Sequence, residues 1–228
     1  MEWARLELLL QDKINIVQNK SVLIIGIGGV GGYVVESLAR LGIRKLIIVD
    51  GDVVDITNIN RQIIALHSTI GRYKVDVMKE RVLDIHPKCD VIGISEFILP
   101  AKVPELLNLE VDYVVDACDT IEVKKEIIRI CSKRKIPFIS CMGTGNKLYP
   151  QKLQIMDIRK TSYDPIAKIL RKMVRDEHII GPVPVVCSME SPIPHEGSRI
   201  ASCSFVPSIA GLLCTSFLVH HMMGDSYE

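Results

Sequence analysis

Several residue groups stand at spacings that can do chemistry. Gly26, Gly28 and Gly31 follow a short apolar run, residues 22–25, as Gly-x-Gly-x-x-Gly. In that pattern the first glycine makes a tight turn and the second lets backbone N–H groups approach a phosphate. The third lets the following helix pack close to the strand. Asp50 ends a second apolar run about 20 positions on, where a carboxylate suits a ribose hydroxyl. The stretch beyond it holds Asp52, Asn58, Asn60, Arg61 and Gln62. A reducing dinucleotide enzyme needs room there for a nicotinamide. An arginine and two asparagines beside the glycines instead suit a triphosphate, whose charge wants a planar cation and amide donors. The competing reading is an Asx-rich turn that caps a short helix. Lys74 opens a helical pattern and can reach back to a phosphate as a point charge. Asp116 and Asp119 lie where the apolar run from Val111 turns polar, at the strand end where open α/β sheets bind ligands. A carboxylate there can hold Mg²⁺, or Asp119 can cap the helix beginning near Ile121, or Asp119 can be the ligand and Thr120 the cap. Together these residues predict a site for an adenine nucleotide.

The elements that must position them alternate. Strands are expected at 22–25, 46–49, 89–94, from 111, at 136–140 and at 153–158, with an extended piece at 183–188 inside a proline-rich crossover. Helices are expected at 29–41, stopped by Gly42, and from Lys74, ended by Pro87. Others follow at 122–135, after Pro165 with Thr161 or Asp164 as cap, and at 205–223. This order predicts an α/β fold, a Rossmann-like doubly wound, mostly parallel sheet flanked by helices, as a single domain over 1–228. Residues 1–20 form an N-terminal helix with an apolar face of leucines, 21–158 the nucleotide-binding core, and 159–228 a basic helix, the crossover and an apolar helix. That last helix is interrupted by Pro207, Ser208, Ser216, His220 and His221, which suits a buried core or dimer helix better than a membrane span.

Composition narrows the function classes. The 228 residues are 48% hydrophobic and 24% charged with a net charge of +1, which excludes disorder and any overall attraction to nucleic acid. An anionic partner must meet a local patch. Two basic runs offer one: Lys124, Lys125, Arg129, Lys133, Arg134 and Lys135, then Arg159, Lys160, Lys168, Arg171, Lys172 and Arg175. Seven cysteines, odd in number and without C-x-x-C spacing, speak against a zinc ribbon or a disulfide framework. With no apolar leader at the start of the sequence, a cytoplasmic protein is expected.

The set Gly26-x-Gly28-Gly29-x-Gly31, Asp50-x-Asp52, Asn58-x-x-Arg61-Gln62, Lys74 and Asp119 resembles the ThiF/MoeB/HesA family of ubiquitin-activating-like adenylyltransferases. Within it, Thr57-Asn-Ile-Asn-Arg-Gln, Lys160-Thr161 with Asp164-Pro165-Ile166-Ala167, and Gly197-Ser198 leading to Ser204-Phe205-Val206-Pro207-Ser208 are similar to the tRNA threonylcarbamoyladenosine dehydratase branch. The resemblance implies carboxylate adenylation with ATP and Mg²⁺ on a tRNA adenosine at position 37. It places phosphate at Gly29 and its neighbours and at Asn58, Arg61 and Lys74, ribose at Asp50 and Mg²⁺ at Asp119. It matches Arg5 to an arginine that reaches into the partner subunit's site, which implies a homodimer, and makes a sulfur-relay protein a candidate partner. Two other readings compete. Activation of the C-terminal glycine of a ubiquitin-like sulfur carrier is disfavoured by the missing C-x-x-C pairs. An NAD(P) oxidoreductase is disfavoured by the loop with Asn58 and Arg61.

Overall fold

The computed structural model describes residues 2–194, 196–197 and 200–225; Ser198 of the Gly-Ser motif lies outside them. The chain runs α1 (Ala4–Leu10), α2 (Ile14–Gln18), β1 (Ser21–Ile25), α3 (Gly31–Arg40), β2 (Lys45–Val49), α4 (Lys74–Ile85) and β3 (Asp90–Ile94). Then come α5 (Val103–Leu106), β4 (Tyr113–Asp116), α6 (Ile121–Arg134), β5 (Phe138–Cys141), β6 (Leu153–Asp157), α7 (Pro165–Asp176), β7 (Pro184–Ser188) and α8 (Phe205–Met222). One seven-stranded sheet has the order β3-β2-β1-β4-β5-β7-β6. All pairs are parallel except β6 with β7.

Strands at the centre of a parallel sheet are covered on both faces, which is why β1 and β4 are buried along their lengths and apolar over residues 22–25 and 113–115. Their residues alternate between two cores. Val22 and Ile24 face the layer holding Val34 and Leu38 of α3 and Cys214 and Leu218 of α8. Leu23 and Ile25 face the layer holding Ile127 of α6 and Leu170 of α7. α8 is long and apolar enough to cross a membrane, with mean hydropathy 1.4. It lies instead against α3 and the sheet, so close that a Cβ on Gly211 would sit 2.5 Å from the Val30 carbonyl oxygen.

The N-terminal stretch departs from the expected continuous helix. Gln11 takes φ of 52°, and α1 and α2 are separate, joined by a 3-10 turn. Leucine periodicity over residues 6–10 suggests a buried face, yet Leu8 and Leu9 are 81% and 77% exposed. α1 is hung instead on Trp3, whose indole N–H donates to the Arg40 carbonyl at 3.0 Å and whose ring meets His86 edge-on. Those contacts lie at the end of the sheet where the strands begin.

Candidate active site

The order of strands reverses between β1 and β4, and loops leaving neighbouring strands there turn to opposite faces, opening a crevice at the carboxyl ends. A cleft of about 590 Å³ occupies that position. The glycine loop forms its floor. Gly26 has φ of +93°, and a Cβ there would stand 2.6 Å from the Ala117 carbonyl oxygen. A side chain on Gly31 would fall on the Gly26 carbonyl. Gly31 thus serves the packing of α3 on β1 and does not line the cleft. Gly28 does line it, and the nearest atom to a Cβ added there is Gln62 Nε2 at 3.9 Å. The free space beside Gly28 is room for a phosphate to approach the backbone. Gly29 is confined by Arg61 Cγ at 3.2 Å and Pro207 Cβ at 3.3 Å.

Asp50 ends β2 with its carboxylate oriented by backbone: Ile27 N–H donates to it at 2.6 Å and Asp52 N–H at 2.8 Å. Burial pushes the Asp50 carboxyl above the ordinary aspartate range, against the pull of Lys74 and those two bonds. Lys74, 5% exposed at the start of α4, puts Nζ 2.6 Å from Asp52 and 4.0 Å from Asp50. Both competing readings of the following loop apply. Asp55 accepts from Thr57 N–H at 2.8 Å while Asn58 Oδ1 accepts from Asp55 N–H at 3.1 Å, a reciprocal cap on a 3-10 turn. Yet Asn58, Arg61 and Gln62 also line the cleft. The Arg61 guanidinium is steadied by the Thr57 carbonyl at 3.1 Å and Asn60 Oδ1 at 2.9 Å. Gln62 is buried, and its Oε1 has no hydrogen-bond partner among the described residues.

Three expectations are corrected. Asn60 does not line the cleft; its amide donates to Ser202 O and Oγ at 3.1 and 2.9 Å, tying the crossover to the loop. Asp116 cannot hold a metal, because its fully buried carboxylate takes Lys124 Nζ at 3.1 Å on each oxygen and the Ser140 hydroxyl as well. Thr120 lines the cleft and occupies the N-cap position of α6, but its side chain makes no capping bond. Arg5, matched by the resemblance to a partner subunit's site, is exposed on α1 and outside the cleft of its own chain. Asp119, by contrast, stands exposed at the cleft edge, where its Oδ1 accepts from the Thr120 hydroxyl at 3.5 Å.

A glycine-rich loop, a carboxylate ending β2, an arginine, a lysine and a further carboxylate line one cleft, an arrangement whose chemistry suits a nucleoside triphosphate. The profile of the ThiF family matches residues 2–189. The chain belongs to the ThiF family. It is 40% identical over 242 residues to the tRNA threonylcarbamoyladenosine dehydratase of Bacillus subtilis (strain 168), covering 98% of this chain and 95% of that one. The crystal structure of the Escherichia coli tRNA N6-threonylcarbamoyladenosine dehydratase in complex with ATP superposes with a TM-score of 0.92 at 30% identity, over 98% of this chain and 94% of that one. The Escherichia coli (strain K12) molybdopterin-synthase adenylyltransferase is 28% identical over 129 residues, 57% of this chain and 51% of that one.

This ThiF-family cleft also has walls that residue types alone do not single out. Phe97 follows β3 and stands 72% exposed against Gly51. Leu99, Ile200, Ser202 and Pro207 close other sides. The turn at residues 143–145 forms a further wall; its two glycines at a strand's carboxyl end are the available signal. Cys118 and Cys141 line the cleft too. Burial, reinforced by Asp116 at 3.1 Å, holds the Cys118 thiol far above the ordinary thiol range, which disfavours the thiolate.

Proposed function

We propose that this protein is an ATP-dependent tRNA threonylcarbamoyladenosine dehydratase. The observation that carries the reading is the likeness to dehydratases over nearly the whole chain, coupled to a cleft in which Gly28, Asp50, Arg61, Lys74 and Asp119 converge. In the proposed reaction the threonyl carboxylate on adenosine 37 attacks the α-phosphorus of ATP and pyrophosphate leaves. A group of the carbamoyl arm then attacks the activated carbonyl, loses its proton, and expels AMP, which carries away the oxygen that counts as the lost water. The first nucleophile is already ionised, so no general base is required. Ring closure is intramolecular, so proximity supplies much of the rate and no acyl-enzyme cysteine is needed. Charge grows on phosphate oxygens, and Arg61 and Lys74 are the groups placed to stabilise it.

Mg²⁺ fits this site as a companion of the nucleotide. No cluster of three or more His, Cys, Asp or Glu able to cage a metal occurs among the described residues. Asp119 offers a single free carboxylate, and Mg²⁺ is commonly held by one or two carboxylates together with substrate phosphates. Bound there, the ion would neutralise phosphate charge. A homodimer is supported by Arg5 lying outside its own cleft and by Leu8 and Leu9 exposed beside it. Seven free cysteines, five of them buried, suit a cytoplasmic location. The sulfur-carrier reading is weaker, since its adenylyltransferase relative matches little more than half the chain.

The deciding experiment is mass spectrometry of nucleosides from tRNA incubated with the protein and Mg-ATP. A species lighter than threonylcarbamoyladenosine by one water is expected, with AMP and pyrophosphate formed. Their absence with a competent tRNA refutes the reading.

A further inference from the structure

The turn after β5 is fixed backbone group by backbone group. The Cys141 carbonyl accepts from the buried Lys124 ammonium at 2.8 Å, and Met142 N–H donates to Val186 O at 2.9 Å. Gly143 N–H donates to Asp164 Oδ2 at 3.0 Å. The other oxygen of Asp164 accepts from Ala167 N–H at 2.8 Å and caps α7. Asp164 is 5% exposed, and a Cβ on Gly143 would lie 2.7 Å from its Oδ2. A helix cap requires only one carboxylate oxygen. The second oxygen leaves the helix to hold the cleft wall.

We propose that Asp164 is a positioning residue for the reaction: its carboxylate bridges the N-terminus of α7 and the Gly143 N–H, fixing the turn at 143–145 against which the carboxylate-bearing arm of the RNA substrate is aligned. The proposal rests on the dehydratase reading and adds a part to it. The turn closes the cleft at β5, two strands beyond the glycine loop on β1, so the nucleotide and the second substrate meet between the two. Because α7 also carries the exposed Lys168 and Lys172, one carboxylate joins a basic surface to the site wall. This makes the Lys-Thr…Asp-Pro segment a bracket between the two.

Asp164→Ser separates the roles, since serine caps a helix as well as aspartate but is too short to reach Gly143 as well. Turnover at saturating tRNA should fall about 100-fold, the scale of a misplaced reacting group. The Kd for Mg-ATP should stay at the wild-type value. Amide exchange should quicken in the peptide containing 142–146 and stay unchanged within α7. Gly143→Ala, which crowds the same bond from the other side, should give the same pattern. Normal turnover in both variants overturns the proposal. So does a loss of turnover accompanied by equal loss of ATP binding or by exchange throughout α7, since that marks a purely structural cap. Wild-type protein that forms no dehydrated nucleoside removes the functional reading and this proposal with it; an active wild type beside equally active variants removes this proposal alone.

Discussion

The Lys74 ammonium is bonded to the Asp52 carboxylate at 2.6 Å across the mouth of the cleft. Asp50 stands 4.0 Å from the same nitrogen, so one cation serves two carboxylates of the cleft lining. Lys74→Ala leaves those carboxylates facing incoming phosphates with no cation between them. Arg61→Ala removes the other cation beside Gly29. Each variant should lose about 100- to 1,000-fold in turnover, the effect of removing one preorganised charge stabiliser, about 2.7–4 kcal/mol. Both should remain folded by circular dichroism. Turnover within tenfold of wild type in either would remove that residue from the phosphate site.

Binding to RNA should depend on a smaller set of cations than the basic runs suggest. In α6, Lys124 is buried, Arg129 is held by Glu177 and Glu126, and Lys125 by Glu122. In the second run, Arg159 bonds Asp157, and Arg171 donates to Thr161 O and Oγ1 at 2.5 and 2.6 Å. Lys160, Lys168 and Lys172 are exposed, Lys172 with only a long 3.9 Å approach to Asp176. The double variant Lys168→Ala with Lys172→Ala should weaken tRNA binding. Its salt dependence should flatten by about 0.7–0.9, in log affinity per log salt, for each phosphate the protein no longer neutralises. ATP binding should be unchanged. Unaltered tRNA affinity and slope in filter binding would mark this face of α7 as merely solvated.

Glu36 on α3 accepts from Arg81 Nε at 2.6 Å and lies 2.7 Å from Arg40 Nη2, joining α3 to α4. Burial alone would raise its carboxyl; the two guanidinium groups outweigh that and hold it below the ordinary value of 4.5. A depressed native value means that this stabilisation is complete above the unfolded value and is lost as pH falls through the native one. Urea unfolding should therefore show Glu36→Gln less stable than wild type at pH 7, with the gap closing as pH falls below 4.5. A gap independent of pH would mean packing, not charge, accounts for it.

The parts of the site legible in the sequence are those with fixed spacing along the chain. Gly26, Gly28 and Asp50 fall at the ends of adjacent strands, and strand ends can be read from apolar runs. Asp116 and Lys124 escape such a reading for a different reason. A lysine in a basic helix and a carboxylate at a strand end both look solvated until the register of β4 with β5 brings Asp116 beside Ser140 and α6 lays Lys124 over them. Arg171 reads as a surface cation because its partner, Thr161, lies ten residues back, before the N-terminus of α7 that Asp164 caps. The exposure of Leu8 and Leu9 has the same root: helical periodicity reports an apolar face without saying whether anything covers it.

Arg5 shares that exposed helix. Trp3 fixes α1 at the end of the sheet where strands begin, whereas the cleft opens where they end. If Arg5 serves catalysis it does so in a second copy, and in a two-fold dimer an Arg5 that reaches one cleft is matched by its symmetry mate at the other. Arg5→Ala and Arg61→Ala should then each be inactive alone, yet regain activity on mixing and re-equilibration. A mixed dimer holds one site with Arg61 from one chain and Arg5 from the other, and one site with neither. Random 1:1 exchange makes half the dimers mixed, so about a quarter of all sites should be restored, as two-fold symmetry requires. The check is turnover of the mixture relative to wild type at equal total protein. Recovery near one quarter supports action across the interface. No recovery, with exchange of subunits verified by native mass spectrometry, would return Arg5 to a surface role.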